Sequence, residues 1–446
     1  ISLFKKKIKP DRLAIIFNNK NYTYSELSKR IKFFEKFILK KNILEKEIII
    51  VAGNYSIDSI ALFFALHNNR NIIVPVISKN KQELKKKIKI SNASKLIEID
   101  NLVVKSIRIS LSNNKMITDL QKKNKSGLIL FSSGSTGDPK AMLHNLDNMI
   151  NNYINNKSRS LVFMVFLMFD HIGGINTMLN ILSMGSTMVI PLQRTPDHVG
   201  ELIERYKVNI LPTSPSFLNL MLLSKSFDKF NLESLIMITY GTEPMPHSLL
   251  KNLRTKIKKA KFLQTFGTSE TGIIKTSSKS SDSLLIKFDD PNQQTKIVDG
   301  ELWIKSDIKV SGYINHENNS FTDDGWFKTG DLVEEYDGGY LKIKGRKSEL
   351  INIGGEKVMP VEVENVILNL DFVDDVTIFS QENLILGQIM IARIAKNNSV
   401  SDSEAKKIIR NYCKENLDKF KIPSKIVFTN DLNVSERFKK IRINNK

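Results

Sequence analysis

Through the first two-thirds of the chain, short apolar runs alternate with segments of helical period, and this alternation constrains the fold most. Ile48-Ile49-Ile50-Val51 and Ile72 to Val76 read as buried strands, with a helix over Ser56 to Asn68 between them. Gly127 to Phe131, Ser160 to Phe169, Thr187 to Pro191, Asn209 to Pro212, Leu235 to Tyr240 and Lys261 to Phe266 continue the series. Helical patterns at Ile175 to Leu182, Pro215 to Leu223 and Pro246 to Ile257 fall between several of them. Strands apolar on both faces need cover on both faces, and intervening helices supply it. The spacing predicts an α/β protein with layered, largely parallel sheets, whose functional loops leave the carboxyl ends of the strands.

The pattern changes near Leu284. Glu301-Leu302-Trp303-Ile304, and a hairpin over Val333 to Ile343 turning at Asp337-Gly338-Gly339, predict a small β subdomain. After Gly345-Arg346 comes a compact α+β segment of small-domain size. The expected division is 1–346, a large domain of layered α/β subdomains with the small β subdomain, and 347–446, a small α+β domain. A chain of 446 residues can bury a core large enough to hold a substrate tunnel.

The net charge of +20 raises a nucleic-acid partner, but no nucleic-acid motif accompanies it. Lysines are scattered among Asn and Ile, as in Lys5-Lys6-Lys7 and Lys85-Lys86-Lys87, which reads as a solvated surface that attracts anionic substrates. The single cysteine, Cys413, excludes an internal disulfide framework and a thiolate zinc cluster, and fits a reducing cytoplasm. It lies in an amphipathic stretch and reads as a packing residue. No secretory signal is visible, and the most apolar run, Leu161 to Phe169, is too short to span a bilayer, so membrane insertion is not expected.

The chemistry begins at Ser132-Ser133-Gly134-Ser135-Thr136-Gly137-Asp138-Pro139-Lys140, directly after an apolar strand. Glycines let backbone N–H groups turn toward a ligand, hydroxyls donate further hydrogen bonds to phosphate oxygens, and Lys140 adds a point charge. The spacing is not the Gly-Lys-Ser/Thr form of P-loop NTPases.

This loop resembles the phosphate-loop signature of the adenylate-forming superfamily: acyl- and aryl-CoA synthetases, peptide-synthetase adenylation domains and luciferases. Further signatures follow in the family's order. Phe266-Gly267-Thr268-Ser269-Glu270-Thr271-Gly272 resembles the aromatic-Gly-x-Thr-Glu motif, which implies a phosphate contact for Ser269 and Mg²⁺ on Glu270. Tyr240-Gly241-Thr242-Glu243-Pro244 is similar to the segment that lies against adenine, although relatives carry Gly-Gly or Gly-Ala there. Thr329-Gly330-Asp331 resembles the motif whose Asp accepts both ribose hydroxyls. Gly345-Arg346-Lys347-Ser348-Glu349 resembles the hinge signature, implying a nucleotide contact for Arg346 and a pivot at Ser348, where relatives carry Asp or Lys. Gly354-Gly355-Glu356-Lys357 completes the group, and its glycines would leave room for a pantetheine arm.

At the carboxyl end, Leu432-Asn433-Val434-Ser435-Glu436-Arg437-Phe438-Lys439-Lys440-Ile441-Arg442 resembles Leu-Pro-x-Thr-x-x-Gly-Lys-x-x-Arg. Gap-free alignment makes Lys439 the catalytic lysine; pairing Lys-Ile instead makes it Lys440. Asn433 and Phe438 replace the family's proline and glycine. Phe169-Asp170-His171-Ile172-Gly173-Gly174 is similar to a segment whose histidine can gate the acyl pocket, and the two glycines would admit a substrate close to the backbone.

The resemblance implies ATP-dependent activation of a carboxylic acid to an acyl adenylate, then transfer to a thiol, with coenzyme A preferred. Its cofactors would be ATP, Mg²⁺ and CoA, and its small C-terminal domain a mobile lid. The alternatives are a ligase that loads a separate phosphopantetheine carrier protein, since no carrier domain precedes the end at Lys446, and a non-catalytic adenylate-binding protein. The acyl pocket is expected around His171, Ser214 and Tyr240 to Phe266, largely apolar, with Asp170 keeping an amine-bearing acid open.

Overall fold

The computed structural model describes residues 8–77, 80–107, 114–132, 139–291, 293–306, 310, 312–430, 435 and 438–442. One six-stranded sheet runs Val103–Ser106, Lys95–Glu98, Ile48–Ala52, Ile72–Val76, Gly127–Ser132, Lys140–Asn145. Its four inner strands are parallel and both edges antiparallel. A seven-stranded sheet runs Lys261–Gln264, Met237–Tyr240, Ile210–Thr213, Val162–Met164, Thr187–Ile190, Leu13–Phe17, Lys20–Thr23, parallel except at the last pair. The expected strand over Ser160 to Phe169 is therefore only its middle, because the chain leaves the sheet after Met164 to build the wall of a pocket.

The central core lies between these two sheets. Helix Ile57–Asn68 explains how: Ile60 to Leu66 are all fully buried, so this helix is apolar all round, as a helix covered on both sides must be. Ser56 opens it with a capping box to Ser59. Helix Tyr24–Lys40 adds Phe34 and Ile31, and Ile172–Met184 adds Ile175, Leu179 and Leu182. Each such side chain stabilises the fold by roughly 1.5–3 kcal/mol. On the outer face of the seven-stranded sheet, the amphipathic helix Pro196–Tyr206 packs Val199, Leu202 and Ile203 into a second hydrophobic cluster.

An antiparallel six-stranded sheet follows, ordered Thr276–Ser278, Leu285–Phe288, Tyr340–Arg346, Phe327–Tyr336, Glu301–Ser306, Gln293–Val298. Its central hairpin turns at Gly338 and Gly339, both at positive φ (79° and 75°), as a tight two-glycine turn requires. A two-stranded ribbon pairs Phe266–Thr268 with Gly272–Ile274, and the last sheet lies within Ile351–Thr429, where Val373–Asn383 and Gly387–Lys396 form a long hairpin. Helix Asp402–Asn416 packs on it through Ala405, Ile409 and Cys413. Cys413 is a packing residue, its thiol pushed up to about 11 by burial. Among the described residues, no helix is long and apolar enough to cross a membrane.

Candidate active site

Ser132 ends its strand and Lys140 begins the antiparallel neighbour; the two are register partners. Ser133, Gly134, Ser135, Thr136 and Gly137 lie outside the described residues. The flanks of the loop are held from the segment around 313. Asn315 accepts the Ala141 N–H and donates to the Pro139 carbonyl, both at 2.9 Å. The Lys140 ammonium lies 5.4 Å from the centre of the Tyr313 ring, and the Tyr313 hydroxyl donates to Glu270 at 2.7 Å. Burial, and then the Glu270 charge, push the Tyr313 hydroxyl above its usual range, so it stays a donor. Tyr313 thus links the loop's lysine to the expected metal carboxylate, and sequence reasoning missed it. Only the fold brings it there, through an isolated bridge to Met142.

An open cleft of about 710 Å³ gathers Gly241, Thr242 and Glu243 from one strand end, and Phe266 and Gly267 from another. Asp331 and Arg346 reach it from the central hairpin, and Lys439, Lys440 and Arg442 from the tail. Asp331 and Arg346 are register partners, joined Nε to Oδ1 at 2.8 Å. Burial pushes the Asp331 carboxyl up to about 6, against the opposing pull of Arg346. The Thr329 hydroxyl donates to the Leu302 carbonyl and accepts the Asp331 N–H, which fixes this turn from beneath. Thr242 holds φ at 72°, a left-handed conformation that β-branched residues rarely adopt. Such strain costs on the order of 1–3 kcal/mol and persists where surrounding structure imposes it.

Several expected contacts are different in the structure. Glu243 lines the cleft, and its carboxylate accepts the Ser216 N–H (2.7 Å) and the Lys440 N–H (3.1 Å), so it ties the tail to the large domain. Burial raises its pKa, and these hydrogen bonds oppose the rise. Thr268 turns inward, where its hydroxyl pairs with that of Thr271 at 3.0 Å; Ser269 is half-buried in the turn that follows. Gly354 and Gly355 form an exposed turn between Ile351–Ile353 and Glu356–Val358, outside the lining of the cleft.

The two tail lysines differ sharply. Lys440 places its ammonium 2.8 Å from Asp375 Oδ1 and 2.8 Å from the Val376 carbonyl. Burial alone would lower its pKa, but Asp375 and Glu364 more than offset this and hold it raised. Arg442 is likewise paired with Glu364 at 2.7 Å. Lys439 lines both the cleft and a smaller adjoining pocket. Its backbone is fixed by reciprocal bonds with Ser435, from Lys439 N–H to the hydroxyl and from Ser435 N–H to the Lys439 carbonyl.

That smaller pocket, about 340 Å³, is lined by Phe166, Leu167, Met168, His171, Arg194, Thr242, Phe438 and Lys439. His171 caps helix Ile172–Met184, its Nδ1 accepting the Gly173 N–H at 3.1 Å, and it also faces the pocket. Gly174 serves packing, not a substrate: a Cβ there would meet the Met168 carbonyl oxygen at 1.9 Å. Gly174→Ala is therefore expected to lower stability by about 1–3 kcal/mol, as overpacking does, with a shift of the urea midpoint as the measurement. An unchanged midpoint would show that the helix moves aside at no cost.

A third cavity, about 1720 Å³, shares Leu167 with the small pocket and Thr265 with the cleft. Its floor is one face of the seven-stranded sheet: Phe163, Ile210, Pro212, Met237, Thr239 and Leu263. Side chains alternate along a strand, so with Thr239 facing the cavity, Tyr240 points away into the core. Ser214 instead caps helix Pro215–Leu223 and donates to the Phe438 carbonyl at 2.8 Å. Polar side chains also line it, but they bond one another: the Tyr153 hydroxyl donates to Asn176 at 3.1 Å and the Asn156 amide to Asn180 at 3.0 Å. His144, buried and pulled down to about 4 by desolvation, is neutral there. Asp170 is buried 4.0 Å from the Lys87 ammonium and outside the cavity lining. The cavity lining is mainly apolar, and Tyr240 and Ser214 are not part of it.

A long-chain-fatty-acid–CoA ligase of Mycobacterium tuberculosis is 29% identical over 324 residues, 67% of this chain and 63% of that protein. The match therefore spans less than two-thirds of that relative's length. A 2-succinylbenzoate–CoA ligase of Staphylococcus epidermidis is 24% identical over 445 residues, 93% of this chain and 90% of that protein. The crystal structure of ATP-bound MatB from Rhodopseudomonas palustris superimposes with a TM-score of 0.82 at 20% identity, over 98% of this chain and 95% of that one, and shares the fold. The AMP-binding enzyme family model matches residues 5–314, and the model of the AMP-binding enzyme C-terminal domain matches residues 362–439. With the first covering well over half of the sequence and the second ending on Lys439, the chain belongs to the AMP-binding enzyme family.

Proposed function

We propose that the protein is an AMP-forming acid–thiol ligase, which activates a carboxylic acid with ATP and passes the acyl group to a thiol, coenzyme A in the first instance. One observation carries this reading. Residues from four separate segments, Gly241 to Glu243, Phe266-Gly267, Asp331 with Arg346, and Lys439, meet in one cleft that shares Thr265 with a cavity large enough for an acid.

In the first step a carboxylate oxygen attacks the α-phosphorus of ATP. The bond to the bridging oxygen breaks, and pyrophosphate leaves with the electron pair. No protein nucleophile takes part, so the protein contributes position and charge. Asp331 holds the ribose, Arg346 and the flanks of the loop at Ser132 and Lys140 meet phosphate, and Lys439 stands where negative charge develops. Glu270 is the residue that would hold Mg²⁺, whose chemistry when bound is to neutralise phosphate charge; a carboxylate suits that hard cation. In the second step the thiol sulfur attacks the acyl carbon, AMP leaves with the carbon–oxygen bonding pair, and the thiol proton passes to solvent. For that step the domain from 347 onward would turn about Ser348, withdrawing Lys439 and bringing in the Gly354-Gly355 turn. A cytoplasmic setting accords with the lone buried cysteine.

ATP–pyrophosphate exchange with a panel of carboxylic acids is the test. Acid-dependent exchange is expected, and the mainly apolar lining of the large cavity favours an alkyl or aryl acid. No exchange with any acid would leave an adenylate-binding protein without turnover. Supplying CoA or a purified carrier then names the acceptor.

A further inference from the structure

Phe438 stands in the tail immediately before Lys439. The backbone keeps a glycine-like conformation, with φ at 53°, although a phenylalanine pays conformational strain to sit there. Its ring is seated in the large domain. The centroid lies 5.2 Å from that of Phe166 and 5.1 Å from that of Phe217, tilted to the first and edge-on to the second. Both geometries are favourable for aromatic pairs. The Ser214 hydroxyl holds the Phe438 carbonyl at 2.8 Å, and the next residue but one gives its N–H to Glu243. The same ring is a wall of the small pocket, together with Phe166, Leu167, Met168 and His171.

From this we infer that Phe438 is a specificity-determining residue: the C-terminal domain supplies one apolar wall of the acid site and removes it when the lid turns. The inference rests on the ligase reading above. A strained aromatic stands where a glycine would sit without strain, and it lines a pocket that also holds Lys439 and shares Leu167 with the large cavity. Selection of the acid is then coupled to the arrangement that activates it. An acid whose first carbons leave that wall uncovered gains less from closure, and one too bulky there prevents Phe438 from seating. Once adenylation is complete, rotation of the lid opens the same wall and exposes the acyl carbon to the thiol.

The experiment measures pyrophosphate exchange for wild type, Phe438→Leu, Phe438→Ala and Phe438→Gly across acids graded in bulk next to the carboxyl group. For the best wild-type acid, Phe438→Ala is expected to raise the KM for the acid about tenfold or more, while kcat and the KM for ATP change less than threefold. Bulkier acids should gain relative to it, and Phe438→Leu should recover most of the wild-type profile. Phe438→Gly, which also relieves the backbone, should follow Phe438→Ala and not wild type. If the ring were only a latch, kcat and both KM values would worsen together with the ranking of acids unchanged, and the inference would fall. Exchange by the wild type with none of the acids would sink the ligase reading, and this inference with it. Exchange by the wild type with identical acid profiles in all four proteins would sink the inference alone.

Discussion

Lys439→Ala is expected to slow pyrophosphate exchange by on the order of 10²–10³-fold, the usual loss when one preorganised charge is removed from a developing anion. The thermal midpoint should barely move, because the backbone bonds to Ser435 survive the substitution. Transfer from a preformed acyl adenylate to the thiol should persist, since that step generates no pyrophosphate. Lys440→Ala is expected to behave differently. It strands Asp375, which is 9% exposed at the side chain, without the cation it faces at 2.8 Å. Removing one partner of a buried pair costs about 3–5 kcal/mol, so this variant should lose stability in the C-terminal domain before it loses chemistry. Guanidine titrations followed by near-ultraviolet circular dichroism would separate the two. Equal exchange rates for Lys439→Ala and wild type would remove Lys439 from the site. A stable, exchange-dead Lys440→Ala would exchange the roles of the two lysines.

What the sequence makes legible is what its signals carry locally. The apolar runs at Ile48, Ile72 and Gly127 specify strands because a continuous apolar run needs cover on both faces, and the fold supplies that cover. The segments around Gly241, Phe266, Asp331 and Arg346 can be placed because each motif is contiguous, and the cleft unites them. Tyr313 cannot be found this way. It acts through a hydrogen bond to Glu270, 43 residues earlier, and nothing near it in the chain announces that partner. The motif around Glu243 suggests a ligand, while the groups that bond its carboxylate are the backbone N–H groups of Ser216 and Lys440. Proximity in the chain assigns Tyr240 to the acyl pocket, and one residue of strand alternation turns it into the core. Gly174 reads as room for substrate, yet the occupant is the chain's own carbonyl at Met168. These differences share a cause: sequence shows which residue types are present but not which long-range neighbour has already taken their bonding capacity.

Asp331 carries the second large prediction, because burial and function pull its charge in opposite directions. Its carboxyl is pushed from 3.8 up to about 6, chiefly by desolvation, with Arg346 opposing. Below about pH 3.8 the group is protonated in folded and unfolded chains alike. Between there and about pH 6 the folded chain keeps a proton that the unfolded chain has lost. Stability from this group is therefore full at low pH and is lost as pH rises through about 6, by up to about 3 kcal/mol. Binding a ribose requires the form that stability disfavours, since only the ionised carboxylate accepts two hydroxyl hydrogens without donating. The KM for ATP is thus expected to fall as pH rises from 5 to 7, across the window in which the apo protein becomes less stable. In Asp331→Asn the amide cannot ionise. Hydrogen bonds to a charged group contribute about 1.5–3 kcal/mol, so losing them should raise the KM for ATP roughly 10–100-fold at pH 7. The pH dependence of that KM between 5 and 7 should flatten, while the neutral variant melts no lower than wild type at pH 7. A wild-type KM for ATP that is flat over this range would show that Asp331 is already ionised by pH 5, with Arg346 and not burial setting its charge. A steep dependence that survives in Asp331→Asn would place the titrating group elsewhere in the cleft, with Glu349 and Glu270, the two carboxylates whose charge also raises Asp331, the next to replace.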